Sequence, residues 1–409
     1  MRPFDLRYTR ILLLPLLAVG LVLSGCDSTG PNGGEDDDQP DPFEYSSNDY
    51  GAETVTNLLA FDLGVRAGSP SDNAESVFDD LYTGTIADKT LPTSGISAQQ
   101  STYGDIASGV DLSSLTDDSP LAQSQNLESG DSPSPGSQVT TDDLLGFYFE
   151  RAGSEDITRT DNGIVLNQFA EKMLLGTPIY GQGAAILSDF ADGSVSGDAA
   201  AQWDAAFGYF GFPRTLEPFL DYGAGGEGLA SGPAQDINGD GSVDLTSEYV
   251  FTWAAYAIER SAAAENNGQP NDFARNAFDA LVEGRSDIAN GEDPSDHAQT
   301  ALAAWEATVA VNVIHYINSM ESSLEDVNGT VSEGDISEDA WGEAKAFGWN
   351  LQFYSDQLSN SQLNTLHDLI GNDPPYGELS ADAYATDLEE ATQILADAYG
   401  FNDSNVAAW

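Results

Sequence analysis

The stretch WEATVAVNVIHYI, residues 305–317, decides the fold class of this chain. Its residues Trp305, Val309, Val313 and Ile317 recur at an interval of four, which places them on one face of an α-helix. An apolar stripe of this kind is typical of a helix that packs against a core. We therefore expect a long and deeply buried helix here.

Similar stripes occur on both sides of this segment. They begin near Val55 and dominate after residue 141, whereas the period-two alternation of half-buried strands is scarce. The clearest are Val165-Phe169-Met173, Tyr249-Trp253-Ala257, Phe273-Ala277-Leu281 and Leu388-Ala391-Leu395-Tyr399. The sequence predicts an all-α helical bundle, with a long irregular N-terminal excursion over residues 84–140.

Two segments of the chain resemble each other. A helix that carries Tyr180 is followed by the block WDAAFGYF from Trp203, and a helix that carries Tyr316 is followed by WGEAKAFGW from Trp341. A duplication would give two related halves, near residues 160–290 and 295–400. A chance likeness between aromatic helices is the alternative.

The strongest local motif is DINGDGSVD, residues 236–244, which fits the calcium-binding loop D-x-[DN]-x-[DN]-G. Oxygen ligands would come from Asp236, Asn238, Asp240, Ser242 (its carbonyl) and Asp244. Ser247 stands where a bidentate acid belongs, and Glu248 comes one residue late, so we expect lower affinity or a water in the site. The alternative is an Asp/Gly-rich turn that leads into a helix over residues 246–265 with a hydroxyl N-cap.

An aromatic segment runs from Trp203 to Arg214. Packing between helices is its simplest explanation, and a groove for an apolar or sugar-like ligand is the alternative. The groove would be lined by Trp203, Tyr209, Phe212, Arg214 and His315.

The chain has three histidines and no H-E-x-x-H pair, nucleophile elbow or P-loop. His315 lies beside the Trp305 stripe, which favours a core or interface role. His367 and Asp368 precede a helix stop, where a surface cap is the simpler interpretation. A metal-dependent hydrolase that uses His315 or His367 with nearby carboxylates is the enzymatic alternative.

The charge balance is extreme, with 13 Lys and Arg against 68 Asp and Glu and a formal net charge of −55. Acidic residues occur along the whole chain, which favours adaptation to high salt over a dedicated acidic patch for cations. Nucleic acid is not an expected partner, because phosphate binding needs a basic stripe.

The N-terminus predicts an envelope location. Arg2, Arg7 and Arg10 precede an apolar run over residues 11–23, followed by Ser24-Gly25-Cys26. This pattern is typical of a signal peptide over residues 1–25 and resembles the bacterial lipobox, in which the exposed cysteine is acylated. Cys26 is the only cysteine, so no internal disulfide can form. We expect a lipid anchor, a flexible acidic Gly/Pro-rich tether over residues 26–47 and a helical domain over 48–409.

Several segments together resemble a family of secreted lipoproteins from Bacteroidetes-type bacteria that share a domain of unknown function. The resemblance spans roughly residues 45–400 and is carried by residues 168–176, Gln182, residues 202–211, the loop 236–244, Phe278 with Gly284-Arg285, and Trp305 with His315-Tyr316-Ile317-Asn318. It implies an outer-membrane lipoprotein, on the periplasmic or surface face, with no established activity. It also implies an accessory role in iron or other nutrient uptake, beside an outer-membrane receptor or an imelysin-like lipoprotein.

Imelysin-like proteins are themselves helical with two related bundles, a distant similarity that would suit the duplication. Their G-x-H-x-x-E motif is missing here, because Tyr316, Ile317 and Asn318 follow His315. We therefore expect a non-enzymatic protein that binds a ligand or partner and holds one structural calcium ion. A purely structural surface protein is a further alternative.

Overall fold

The helix expected around Trp305 is the central element of the protein. A computed structural model describes residue 43 and residues 49–70, 74–93, 95–116, 119–121, 139–154, 158–223 and 234–409. The helices are α1 Gly51–Gly68, α2 Ala74–Tyr82, α3 Thr141–Ser154, α4 Leu166–Leu174, α5 Gln182–Ala191, α6 Ala199–Phe210, α7 Glu217–Gly223, α8 Thr252–Asn266, α9 Phe273–Asn290, α10 Ser295–Leu324, α11 Glu338–Phe353, α12 Asn360–Ile370, α13 Ala381–Tyr399 and α14 Asp403–Val406. The predicted signal peptide, the lipidation site Cys26 and nearly all of the tether lie outside the described residues.

The α10 helix lies in the core. Trp305, Val309, Val313 and Ile317 are fully buried, as the stripe predicts. The helix contacts α5, α8 and α9 from the first predicted half of the chain and α11 and α13 from the second. In the part of the chain that the structure describes there is no β-sheet, only isolated bridges such as Thr90 with Thr102. The predicted all-α fold is confirmed.

The helix boundaries follow from local chemistry. Several of the described helices begin after a side chain that accepts a hydrogen bond from a backbone N–H of the first turn, which offsets the unpaired donors there. These caps include Asp198, Asp272, Ser337, Ser359, Ser380 and Asn402. At the other end of α6, Gly211 has φ +86°, a conformation that a side chain would strain.

One turn between α4 and α5 is π-helical, over Gly176–Gly181. Pro178 has no N–H to donate, and the N–H of Tyr180 reaches back five residues to the Leu175 carbonyl at 3.1 Å. Tyr316, its counterpart in the proposed duplication, lies within regular α10 instead. The two segments thus differ locally, and the duplication stays a prediction.

The described part of residues 84–140 is irregular, as expected, but it is packed. It contains two short 3₁₀ helices, Tyr103–Asp105 and Leu112–Leu115. Its backbone also pairs with the acidic loop, because Val243 donates to Ser97 at 2.8 Å and accepts from Gln99 at 2.9 Å. The excursion therefore supports the loop that carries the calcium motif.

The helix predicted over residues 246–265 starts later in the structure than the sequence suggested. The α8 helix starts at Thr252, and the segment before it pairs with the backbone that follows α6. The Ser247 carbonyl accepts from the Arg214 N–H at 2.9 Å, and the Phe251 N–H donates to Gly211 at 2.8 Å. These long-range bonds hold the segment out of the helix, so the prediction of a hydroxyl N-cap at its start was wrong.

None of the described helices has an apolar stretch that would be long enough to cross a membrane.

Candidate functional site

The acidic loop folds around the Asp236 carboxylate. Its Oδ1 accepts the backbone N–H groups of Gly239 and Asp240 at 2.7 and 3.0 Å, and its Oδ2 accepts that of Gly241 at 2.7 Å. The amide oxygen of Asn238 accepts the Asp240 N–H at 2.9 Å. Side-chain oxygens at alternate positions thus bend the backbone into successive turns, at the positions where a calcium loop places its ligands.

The same pattern continues through the second half of the motif. Asp240 Oδ1 accepts the N–H and hydroxyl of Ser242 at 2.9 and 2.8 Å, and Asp244 Oδ1 accepts those of Thr246 at the same distances. The Ser242 bonds lower the pKa of Asp240. Burial raises the pKa of Asp244, but bonds from Thr246 and its neighbours outweigh burial and lower the pKa below its ordinary value. Both groups are therefore carboxylates at neutral pH.

Glu248 does not replace the missing ligand at the twelfth position. It is buried, and its Oε1 accepts the N–H groups of Ile237 and Asn238 at 3.1 and 3.0 Å. Its Oε2 accepts the Asp244 N–H at 2.9 Å. Both oxygens therefore brace the loop backbone, and a bound ion would take its remaining ligands from water.

Two glutamines of the N-terminal excursion compete for the loop carboxylates. Gln99 Nε2 donates to Asp240 Oδ2 at 3.0 Å, and Gln100 Nε2 donates to Asp244 Oδ1 at 2.8 Å. Among the residues described, no three His, Cys, Asp or Glu side chains converge as a metal cluster, and this includes the acids of the loop. Calcium binding here requires these carboxylates to turn from the glutamines toward the ion.

The aromatic side chains predicted to line a groove are buried in the core. Trp203 is fully buried and donates its indole N–H to the Leu281 carbonyl at 2.7 Å. Tyr209 and Phe212 are also buried. Arg214 and His315 are partly buried. Arg214 Nε donates to the Tyr50 hydroxyl at 3.0 Å, and His315 Nδ1 contacts the Trp409 carbonyl at 2.5 Å.

The histidines have three different environments. Burial and nearby Arg260 lower the pKa of His315 to about 4, so its ring is neutral. His367 is fully buried against Trp349, with ring centroids 5.6 Å apart, and burial lowers its pKa well below the ordinary value. His297 lies between two acids of α9, at 3.3 Å from each. The described residues thus contain no assembled histidine site for the hydrolase alternative.

Several buried basic side chains were not singled out from the sequence. Lys172 is buried beside Glu171 and Glu343, with Nζ to oxygen distances of 3.1 and 3.4 Å. Burial lowers its pKa, but the carboxylates outweigh burial and raise the pKa well above the ordinary value. Lys345 and the Arg285–Asp204 pair are also buried. Basic residues are rare in this acidic chain, and that rarity could have drawn attention to them. The sequence does not indicate which side chains they pair with.

No protein-family model, curated protein or solved structure matches this chain. The proposals below rest on its residues and their geometry.

Proposed function

We propose that this chain is a lipid-anchored, calcium-binding protein of the bacterial cell envelope whose helical body binds a ligand or partner. One observation carries the calcium part of the proposal. The loop Asp236–Asp244 combines the ligand sequence with turns at alternate positions, a backbone braced by Glu248 and lowered pKa values at Asp240 and Asp244.

Calcium would act as a structural clamp. The loop is tied to the N-terminal excursion through Val243 and through the side chains of Gln99 and Gln100, which lie more than a hundred residues earlier in the chain. An ion that neutralises Asp236, Asp240 and Asp244 would remove repulsion among acids held in one short loop. It would thereby stabilise the loop, and with it the backbone pairing of Val243 to Ser97 and Gln99, which remains when the two glutamine side chains release the carboxylates.

The lipid anchor rests on the sequence of residues 1–26. Acylation of Cys26 would hold the body at the outer membrane through a tether. The family resemblance extends this role to nutrient uptake, including iron, with an outer-membrane receptor or an imelysin-like lipoprotein as partner. An accessory protein in nutrient uptake needs a binding surface and attachment to the membrane. It needs no catalytic centre of its own.

We expect calcium to raise the melting temperature of the wild-type protein when it is added, in high salt, to protein that was first treated with a chelator. At a calcium concentration of one hundred times Kd, the added stability is about 2.7 kcal/mol. Asp236→Ala combined with Asp240→Ala is expected to abolish this gain, because it removes two ligand side chains. Thermal melting with EDTA and then with calcium, together with calorimetric titration, measures both effects.

Asp335→Ala is the matched control for this double variant. Asp335 Oδ2 accepts the Ser332 N–H at 2.7 Å, so the variant removes a similar turn from a loop without the calcium motif. Its calcium response should equal that of the wild type. A wild-type protein that melts identically with calcium and with chelator contradicts the site.

Cys26→Ser is expected to move the protein out of the membrane fraction. Without the thiol no acyl chain can be attached at this position. Fractionation of the producing bacterium and labelling with a fatty-acid analogue measure the change. Ser28→Ala leaves the cysteine in place and serves as the control. Equal membrane retention of the Cys26→Ser protein would refute the anchor.

A further inference from the structure

A groove of about 610 Å³ lies between the start of α9, the first half of α10 and the end of α13. Its volume is in the range of small-molecule sites. Ala303 and Ala307 lie one helical turn apart on α10 and give the groove an apolar lining. None of the residues that sequence reasoning assigned to a ligand groove contributes to it.

One wall of the groove is aromatic and fixed in place. The Tyr399 hydroxyl donates to Glu306 Oε1 at 2.8 Å, and the Tyr399 ring stacks on Phe401 with centroids 5.4 Å apart. Glu306 is buried and also accepts hydrogen bonds from the Ser355 hydroxyl and the Asp356 N–H. The half-buried tyrosine ring is therefore presented to the groove in one orientation.

The polar groups of the groove are mostly neutral. Three amide side chains, of Asn271, Asn276 and Gln299, line it with the carboxylate of Asp296. Each amide offers both donors and an acceptor, as a hydroxyl group does. Within the described residues these three amides make no side-chain hydrogen bond to the rest of the protein, so they are available to a ligand.

We propose that this groove binds a neutral saccharide. An anion would meet the carboxylate of Asp296 and no basic side chain among the residues that line the groove. A cation would find many richer acidic sites than a groove with one carboxylate. A fully apolar ligand would bury the three amides without partners, which is unfavourable. A sugar instead offers hydroxyls to the amides and a C–H face to Tyr399 and the alanines.

This proposal gives a ligand class to the binding role proposed above and rests on that role, but it does not depend on the calcium loop. The test is saturation-transfer NMR on the Cys26→Ser protein, with cellotriose, maltotriose, laminaritriose and chitotriose as neutral probes. Trigalacturonate serves as the charged probe. All measurements are made with and without EDTA, so that a failure of the calcium loop is seen separately.

We expect saturation transfer to at least one neutral probe and none to trigalacturonate. Asn276→Ala combined with Gln299→Ala should weaken binding about tenfold or more through two lost hydrogen bonds. Ala303→Trp should block the groove by its volume; Ala303 is exposed, so the fold should tolerate this change. Asn290→Ala, which removes an exposed amide at the far end of α9, is the control and should leave binding unchanged.

Three results overturn the proposal: no transfer to any neutral probe, stronger transfer to trigalacturonate, or unchanged binding by both groove variants. If these occur while the Cys26 and calcium tests succeed, the anchored calcium-binding role stands without the saccharide.

Discussion

Asp204→Ala is expected to lower the free energy of unfolding by about 3–5 kcal/mol, because it leaves a buried guanidinium without its carboxylate. Arg285 Nε and Asp204 Oδ1 are 2.7 Å apart, and the two side chains are 4% and 1% exposed. Asp204 lies in α6 and directly follows the buried Trp203 in the chain, and Arg285 lies in α9.

The intact pair is itself costly to bury. Desolvation raises the pKa of Asp204 even though Arg285 opposes the rise, and Asp204 Oδ2 has no hydrogen-bond partner among the described residues. Coulomb attraction therefore does not fully offset the loss of hydration. Asp204→Leu combined with Arg285→Met should be much less destabilising than Asp204→Ala alone, because it removes both charges at once.

Glu217→Ala supplies the matched control, since it breaks a carboxylate–arginine pair near the surface. Glu217 and Arg275 are 35% and 40% exposed, so their separation should cost about 1 kcal/mol or less. Denaturant unfolding of the variants in high salt measures all of these differences. If Asp204→Ala and Glu217→Ala cost the same, the buried pair is not the determinant that we describe.

Local sequence was sufficient for the helices but not for their partners. The Trp305 stripe predicts α10 because an interval of four is a property of one segment. The packing of Trp203 could not be predicted from its own segment. A Cβ atom at Gly284 would lie 2.2 Å from the Trp203 ring, so the burial of this indole depends on a glycine eighty-one residues later. The same limit explains the late start of α8, whose preceding segment bonds to Gly211 and Arg214.

The candidate sites also have features that local sequence predicts and features that depend on distant segments. The turns of Asp236 and Asp240 follow from a contiguous motif, and the sequence predicts their positions. The bracing role of Glu248 is different, because the motif indicates only that this acid is one residue out of place. The groove beside Tyr399 joins three segments that are distant in the chain, and no local pattern connects them.

Lys345 is expected to make stability depend on pH in the alkaline range. Its Nζ donates to the His367 carbonyl and to Asn372 Oδ1 at 3.2 and 3.3 Å and lies 5.3 Å from the centre of the Trp349 ring. Burial lowers its pKa to about 7, although Asp368 and Asp373 oppose the shift. In the unfolded chain a lysine has a pKa of about 10.4. Between these values the unfolded state binds the extra proton, so stability rises with pH.

The rise should be about 1 kcal/mol between about pH 7.5 and 8.5, since one proton corresponds to about 1.4 kcal/mol per pH unit inside this window. Other perturbed groups titrate mostly outside this window, but the buried tyrosines ionise first in the unfolded chain, where their pKa is about 10, and should reverse the rise above about pH 9. Burial raises the pKa of Glu321 to about 7 and that of Asp279 to about 6, and burial lowers that of His315 to about 4. Burial raises the pKa of Tyr50 to about 12 and raises that of other buried tyrosines as well.

Lys345→Met should remove this slope, because the substituted side chain has no proton to bind in either state. Urea unfolding of the Cys26→Ser protein at several pH values measures it, and that background also removes the thiol as a titrating group. Lys89→Met is the control. Lys89 pairs with Asp80 at 2.8 Å with both side chains partly exposed, so its charge stays solvated and the slope should persist. If the slope survives in Lys345→Met, it arises from other groups and Lys345 is not the titrating residue.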